Sequence, residues 1–239
     1  MQPSEMYFYD DVYAREMDAD VVEYGSDEKF GPFLVFNRTI FHPHGGGQKG
    51  DRGRVFFHEQ PFGECPSELN ITDTRGEKGG TIRHIIDRNL GDEAMLKLPG
   101  TKVTLQLNWD FRYTQMRLHS SSHLIHIFME RLVGRTLPPP RISDILEDYG
   151  LNVYETVLDI KPEDMPKVVS NMNEFLAAGH EITTYPDPDP QKPTYRYWKC
   201  EDVVIPCGGT HPHSTSEVGP ISATLSTKKG KTKVQFRLA

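Results

Sequence analysis

Two histidines stand four residues apart in a stretch with a helical pattern, and a cysteine and a further histidine repeat that spacing downstream. His119 and His123 at positions i and i+4 share one helical face, with Cβ atoms roughly 5–6 Å apart. Cys207 and His211 close a Cys-Gly-Gly-Thr-His turn. Imidazole and thiolate are donors that zinc prefers. The sequence therefore predicts a Zn²⁺ site built from these four side chains.

Three other residues compete for places in this ligand set. His126 lies on the same predicted helix, His213 follows the second pair, and Cys200 precedes it. The pattern differs from zinc fingers, which pair close cysteines, and from metalloproteases, because Ser120 stands where those enzymes have glutamate. Four protein donors also leave no open position on the metal. The spacing alone leaves the ligand choice and the role of the metal open.

A glycine-rich segment, Gly45-Gly46-Gly47-Gln48, lies far upstream of the histidines. Consecutive glycines lack Cβ atoms and permit close approach to a ligand or to another part of the chain. The segment lacks the Gly-Lys-Ser/Thr ending of a phosphate-binding loop, and a strand-like run at 54–57 follows it. A flexible turn is the simplest interpretation, and a turn that contributes Gln48 to a site is the functional one.

The histidines need a helix to hold them, and the pattern predicts one over 111–133, with Asp110 as its N-cap and Gly134 at its end. Leu118, Ser122, Ile125, Met129 and Leu132 share the stripe expected to face the core. The histidines occupy a neighbouring stripe beside it. A second amphipathic helix is predicted over 162–178, with Gly179 at its end.

Short alternating runs separated by turn residues fill the rest of the chain. Residues 1–105 predict a small β-barrel or a meandering sheet carrying the glycine-rich loop. Residues 106–239 predict a two-layer α/β domain with a mostly antiparallel sheet, including strands at 152–159, 218–225 and 233–238, and a stiff proline-rich loop at 186–193. The expected fold class is therefore α+β, in two domains.

Composition limits the cellular compartments and the binding partners that we expect for this protein. The 239 residues carry a net charge of −7 and three cysteines. Few and odd cysteines favour a reducing cytoplasm, and no apolar run is long enough for a membrane span. The acidic balance argues against DNA binding. Lys228, Lys229, Lys231, Lys233 and Arg237 nevertheless crowd the C-terminus, where a solvated surface is the simplest interpretation.

Three motifs in order give the chain a family resemblance. Phe41-His42-Pro43-His44 with the Gly-Gly-Gly-Gln run, the His119/His123 pair, and Cys207-Gly208-Gly209-Thr210-His211 are similar to the motifs of alanyl-tRNA synthetase editing domains. The chain most resembles the freestanding AlaX proteins, in their medium-length form with an N-terminal barrel. The resemblance covers about 30–225.

The resemblance implies a trans-editing hydrolase that deacylates tRNA(Ala) mischarged with serine or glycine, with the tRNA as partner. It implies that His119, His123, Cys207 and His211 hold zinc. We further predict Gln48 and Thr210 as catalytic residues. The residues predicted to bind the substrate are Gly46, Gly47, Ser120 and Arg117.

Departures from the family pattern and two other functions stay open. His44, Pro206 and the three serines between the helical histidines differ from the residues usual in the family, which leaves the choice between serine and glycine undecided. A non-catalytic, zinc-supported module that binds RNA or a partner is one alternative. A related hydrolase of another small aminoacyl ester is the second. The sequence predicts no oligomeric state.

Overall fold

The computed structural model describes residues 3–63, 65–77, 79–189, 191–192 and 195–239. Two compact units divide the chain: one comprises 1–45 and 49–112, the other 46–48 and 113–239. The glycine-rich residues Gly46–Gln48 thus belong to the second unit. The predicted proline-rich loop includes Pro190 and Pro193, which lie outside the described residues.

Strands dominate the first unit. They are β1 (Glu5–Met6), β2 (Glu16–Asp27), β3 (Gly31–Phe36), β4 (Arg38–Thr39), β5 (Gly53–Phe57), β6 (Glu68–Gly76), β7 (Ile82–Ile86) and β8 (Lys102–Leu107), with a 3-10 turn at Tyr7–Tyr9 and helix α1 at Glu93–Lys97. A closed antiparallel barrel joins β2, β3, β7, β6, β5 and β8 in that order. Val103, Leu105 and Leu107 point inward, because alternate side chains of a strand face opposite sides.

Helix α2 spans Trp109–Val133 and carries the two predicted histidine ligands. The prediction of Asp110 as its N-cap is wrong. Asn108 takes this role, since its side-chain oxygen accepts a 3.1 Å hydrogen bond from the backbone N–H of Phe111. Asp110 instead lies in the first turn, where its negative charge favours the helix dipole.

In its described residues, the second unit contains most of α2, two further helices and two antiparallel sheets. Its elements are β9 (Ile142–Ile145), β10 (Gly150–Tyr154), a 3-10 turn (Pro162–Asp164), α3 (Met165–Ala178), β11 (Ile182–Pro186), β12 (Arg196–Cys200), β13 (Val203–Pro206), α4 (Thr215–Val218), β14 (Ile221–Lys228) and β15 (Lys231–Leu238). One sheet has the order β14-β15-β10-β9, and the other β11-β12-β13. The predicted mixture of helices with mostly antiparallel strands is confirmed.

A hydrophobic core lies in the second unit, and α2 contributes several of its buried side chains. Leu118, Ile125 and Met129 of α2 are fully buried in it, with Met172 of α3 and Phe236 of β15. The predicted core stripe of α2 is therefore confirmed at these positions. Among the described residues, no helix combines the length and the apolar character needed to cross a bilayer.

Several element boundaries differ from their predictions. The strand expected at 152–159 spans Gly150–Tyr154, and the one expected at 233–238 begins at Lys231. The strand expected at 218–225 begins at Ile221, because a short helix, α4, precedes it. Ser214 and Glu217 form a capping box that starts this helix. The expected helix at 162–178 starts with a 3-10 turn. It ends at Gly179 as predicted, and this glycine has a φ of +76°.

Candidate metal centre

Four nitrogen and sulfur donors of the second unit converge within 4.8 Å of one another, and they belong to His119, His123, Cys207 and His211. Cys207 Sγ lies 3.5 Å from His119 Nε2 and 3.3 Å from His211 Nε2. In a tetrahedral zinc site, Zn–S bonds of ~2.3 Å and Zn–N bonds of ~2.0–2.1 Å separate the donors by about 3.5 Å. The two distances from the Cys207 sulfur therefore match those of a tetrahedral zinc site.

Gln48 fixes the orientation of His119. The Gln48 side-chain oxygen receives the backbone N–H of Thr210 at 3.0 Å and lies 3.1 Å from His119 Nδ1. The Gln48 amide nitrogen donates to Thr210 Oγ1 at 2.8 Å, which settles the amide orientation. Because a carbonyl oxygen only accepts, the proton of neutral His119 is on Nδ1. The lone pair on Nε2 then points toward Cys207, as a metal ligand requires.

Ser120 plays the matching part for His211. Its hydroxyl lies 2.9 Å from His211 Nδ1 and is fully buried. His211 therefore also presents Nε2 to the sulfur of Cys207. Two of the three histidines thus have their outer nitrogen held by a neighbouring side chain, the arrangement typical of metal-bound imidazoles.

His123 supplies independent support for metal binding at this site. Its Nε2 is buried and has no hydrogen-bond partner among the described residues. Burial lowers the pKa of His123 well below 6.5, and the neighbouring His119 and His126 lower it further. The ring is therefore neutral at pH 7, and its Nε2 atom lacks a hydrogen-bond partner among the described residues. A buried polar atom without a partner costs about 1–3 kcal/mol, which a bound metal ion would relieve.

Burial also keeps Cys207 protonated in the absence of a metal, since it raises the pKa of this thiol to about 11. The thiolate is the form that binds metal, and a cation beside the sulfur favours it. Binding of a metal at this site should therefore release one proton from Cys207.

Two glycines allow the close approach of loops to this cluster. A Cβ added at Gly209 would lie 2.2 Å from Cε1 of His119, so any larger residue would displace that ring. A Cβ at Gly47 would lie 1.9 Å from the carbonyl oxygen of Ser143, and the φ of Gly47 is +85°. Glycine at these positions brings the Cys207 turn onto α2 and the Gln48 loop onto β9.

The competing residues have other environments. The His126 Nδ1 atom lies 3.0 Å from the hydroxyl of Tyr154, and its Nε2 lies 3.5 Å from Glu130. His213 is exposed, and Cys200 is buried in the hydrophobic core. None of the three belongs to the group of converging donors among the described residues.

A pocket of about 560 Å³ opens beside the four donors. Gly46, His119, His123, His126 and Cys207 contribute to its wall. Sequence reasoning missed other wall residues, notably Ser143, Tyr195 and Arg196, because they come from distant segments that carry no motif. Cavities of this size accommodate small ligands or the reactive end of a larger one.

The remaining predicted site residues lie around this pocket in different ways. Gln48 and Thr210 bond to each other and are buried, with 0% and 2% exposure. Gly47 has no side chain to contribute, but its carbonyl oxygen accepts a hydrogen bond of 2.8 Å from the backbone N–H of Ile145. Arg117 is not part of the pocket wall, and its Nε donates to the carbonyl oxygen of Val218 at 2.8 Å.

The known proteins similar to this chain include alanyl-tRNA editing proteins and alanine–tRNA ligases. Alanyl-tRNA editing protein AlaX-L of Pyrococcus horikoshii is 32% identical over 95% of this chain and 55% of its own length. Alanyl-tRNA editing protein AlaX-M of the same organism is 27% identical over 97% of this chain and 95% of its own length. An alanine–tRNA ligase of Metallosphaera sedula is 26% identical over 92% of this chain and 24% of its own length.

These alignments cover nearly the whole chain, and no family model matches it. The chain spans about half the length of AlaX-L, almost all of AlaX-M and about a quarter of the ligase. The resemblance inferred from the three motifs is thereby confirmed. The chain belongs to the AlaX family of alanyl-tRNA editing proteins.

Proposed function

We propose that this protein is an aminoacyl-tRNA deacylase that hydrolyses tRNA(Ala) mischarged with serine, and also with glycine, in the cytoplasm. The observation that carries the proposal is the four-donor cluster beside a pocket of about 560 Å³. The names of the relatives, alanyl-tRNA editing proteins, supply the substrate class. The scissile bond is the activated ester between an amino acid and the terminal ribose.

The chemistry of such a substrate explains why a second site is useful. A pocket shaped for alanine rejects glycine by only about 1–3 kcal/mol, since the two differ by one methyl group. An added hydroxyl, as in serine, is similarly hard to exclude by hydrophobic fit. Removal of the wrong amino acid after its attachment raises fidelity beyond what one binding site achieves.

Zinc is the metal that best suits the donor set of His119, His123, His211 and Cys207. Three imidazoles and one thiolate match its preferred ligands, and the donor spacing supports a tetrahedral site. When bound, zinc would supply Lewis-acid chemistry at the ester carbonyl or at a water molecule.

The protein's own residues divide into two groups in this proposal. Gln48 and Ser120 are positioning residues, because they hold His119 and His211 by their Nδ1 atoms and are fully buried. The Thr210 hydroxyl oxygen accepts a hydrogen bond from the Gln48 amide nitrogen. Its own proton is therefore available to donate to another group. The aminoacyl end would occupy the pocket whose wall includes Gly46 and Ser143. Arg117 donates to the carbonyl oxygen of Val218, and its role in substrate binding stays a prediction.

A deacylation assay tests the proposal directly. Zinc-loaded protein is mixed with tRNA(Ala) carrying labelled serine, glycine or alanine, and the release of the amino acid is followed. We expect release of serine and slower or no release of alanine. His119→Ala should lower the rate at least about 100-fold, as for loss of a group central to catalysis. His58→Ala, an exposed histidine of the first unit, is the matched control.

Two outcomes would refute the proposal. One is the absence of serine release at every zinc concentration with folded protein. The other is equal activity of His119→Ala and wild type. Hydrolysis of a short aminoacyl-nucleoside at the same kcat/KM as the full tRNA substrate would favour the related small-ester hydrolase instead.

A further inference from the structure

The outer face of the β14–β15 hairpin is strongly basic in a chain of net charge −7. Residues 219–239 contain five cations, Lys228, Lys229, Lys231, Lys233 and Arg237, and no acidic residue. All five cations are exposed. This concentration of one sign of charge stands out against the acidic remainder of the chain.

Strand register gathers most of these cations on one side of the sheet. Lys228 pairs with Lys231, Ser226 with Lys233, and Ser222 with Arg237. Directly opposite residues point to the same face of an antiparallel pair. The alternate residues Thr232, Val234 and Phe236 are buried. The outward face is therefore two adjacent columns, one rich in hydroxyl groups and one rich in cations.

Few internal partners neutralise this face. Lys231 lies 2.7 Å from Glu155, and Arg237 lies 2.8 Å from Asp148, with all four side chains roughly half exposed. Exposed ion pairs of this kind are weak. Lys228, Lys229 and Lys233 have no ion pair among the described residues. The face therefore retains its attraction for an external anion.

The tip of the hairpin holds a lysine in a left-handed conformation that glycine and asparagine adopt more readily. Lys229 and Gly230 both have positive φ, +52° and +75°, as in a two-residue hairpin turn that favours Asn-Gly. A lysine in the left-handed conformation is strained relative to a relaxed conformation. The tip thus combines a cation with some loss of local stability.

We propose that this face, formed by the exposed side chains of β14 and β15 and by Lys229, binds the phosphate backbone of the tRNA substrate. The proposal rests on the proposed deacylase function for the identity of the RNA. Lysine side chains match phosphates as mobile point charges, and serine and threonine hydroxyls donate to phosphate oxygens. Such contacts give affinity without reading sequence. The face would position the tRNA and leave the choice of amino acid to the pocket.

A triple variant tests the surface: Lys228→Gln, Lys229→Asn and Lys233→Gln in one full-length chain. Its control carries the same charge change elsewhere, at the exposed Lys97, Lys161 and Lys167, each replaced by Gln. The Kd for a tRNA(Ala) transcript is measured from 50 to 300 mM salt. We expect the triple variant to bind at least about 10-fold more weakly at low salt. The slope of log K against log salt should become shallower by about 2–3, one unit for each lost phosphate contact.

A single change separates folding from binding. Lys229→Asn removes one cation and suits the left-handed turn, so its melting temperature should equal or exceed that of wild type. Its tRNA binding should nevertheless weaken by about 3- to 10-fold at low salt. A triple variant with wild-type Kd and wild-type salt slope overturns the proposal, and would direct attention to an acidic protein as the occupant.

The deacylation assay keeps this proposal distinct from the proposed function. If the binding surface is correct, the triple variant has a raised KM for mischarged tRNA, an unchanged kcat, and unchanged hydrolysis of a short aminoacyl-nucleoside. If wild type binds tRNA through this face but releases no amino acid, the deacylase function fails and the surface stands. If both variants bind and react as wild type does, the surface fails and the function stands.

Discussion

The two units each bury a cluster of polar side chains, and the clusters differ in whether the protein alone completes them. In the first unit, Arg112 and Asp51 are fully buried and paired. The guanidinium also donates to the carbonyl oxygen of Ile40 at 2.7 Å, and Asp51 accepts the backbone N–H of His42. In the second unit, the buried Nε2 of His123 has no partner among the described residues.

This difference distinguishes a cluster that supports a fold from one that supports a ligand. Protein interiors satisfy their polar groups, so the few that lack a partner need an explanation. The Arg112 cluster needs none. The His123 cluster is explained by a metal ion, and the four experiments that follow test this contrast.

The largest effect is expected from breaking the internally satisfied pair. Arg112→Met should lower the free energy of unfolding by about 3–5 kcal/mol, because the Asp51 carboxylate would stay buried without its partner. Urea denaturation measures it, with Arg54→Met as a control, since Arg54 is about half exposed and its ion pair with Glu68 spans 3.7 Å. A loss below about 1 kcal/mol would contradict the view of a cluster essential to this unit.

The second cluster should respond to metal instead. Zinc at 1,000 times its Kd should stabilise the protein by about 4 kcal/mol, and thermal melts with and without zinc measure that gain. Cys207→Ala should remove most of it, because a ligand is lost. Cys200→Ala is the matched control: it affects the core and lowers the starting stability, but the gain from zinc should persist. Equal gains in both variants would exclude Cys207 as a ligand.

A smaller change probes the groups that orient the ligands. Ser120→Ala removes the hydroxyl that holds His211 and should weaken zinc binding about 10- to 100-fold. Ser121→Ala alters the adjacent residue, whose hydroxyl donates to the carbonyl oxygen of Arg117 within the helix, and should leave the affinity nearly unchanged. Competition with a coloured chelator gives both affinities. Similar losses in the two variants would refute a positioning role for Ser120.

The mildest test is the pH dependence of zinc affinity. The pKa of the Cys207 thiol is about 11, so at pH 7 the metal-free protein carries this proton and must release it on binding. His123, with its pKa well below 6.5, contributes no proton near neutrality. Affinity should therefore rise about tenfold for each pH unit between ~7 and 8.5. A flat profile would show that zinc binding does not release the Cys207 thiol proton.

Local patterns sufficed for much of the fold. The helical period around His119 identified α2, and the turn residue Gly179 identified the end of α3. The alternating run at 103–107 became a barrel strand. The boundary at Asp110 was missed because several residues near a helix start are able to cap it, and Asn108 is in the right geometry. The proposed division at 105/106, the two-layer arrangement and the cytoplasmic location stay predictions.

The sequence by itself determined the types of donor available and the family to which the chain belongs. The i, i+4 spacing of His119 and His123 is a local property of the helix, so the pair needs no tertiary information. The motifs also predicted Cys207 and His211 as partners of that pair but left Cys200, His126 and His213 as competitors. Only the tertiary structure placed the four donors together, let Gln48 and Ser120 hold two of the rings, and turned His126 to Tyr154. The physical reason is distance along the chain: residues 48, 119 and 207 meet only when the core of the second unit packs, and no local pattern encodes such a meeting.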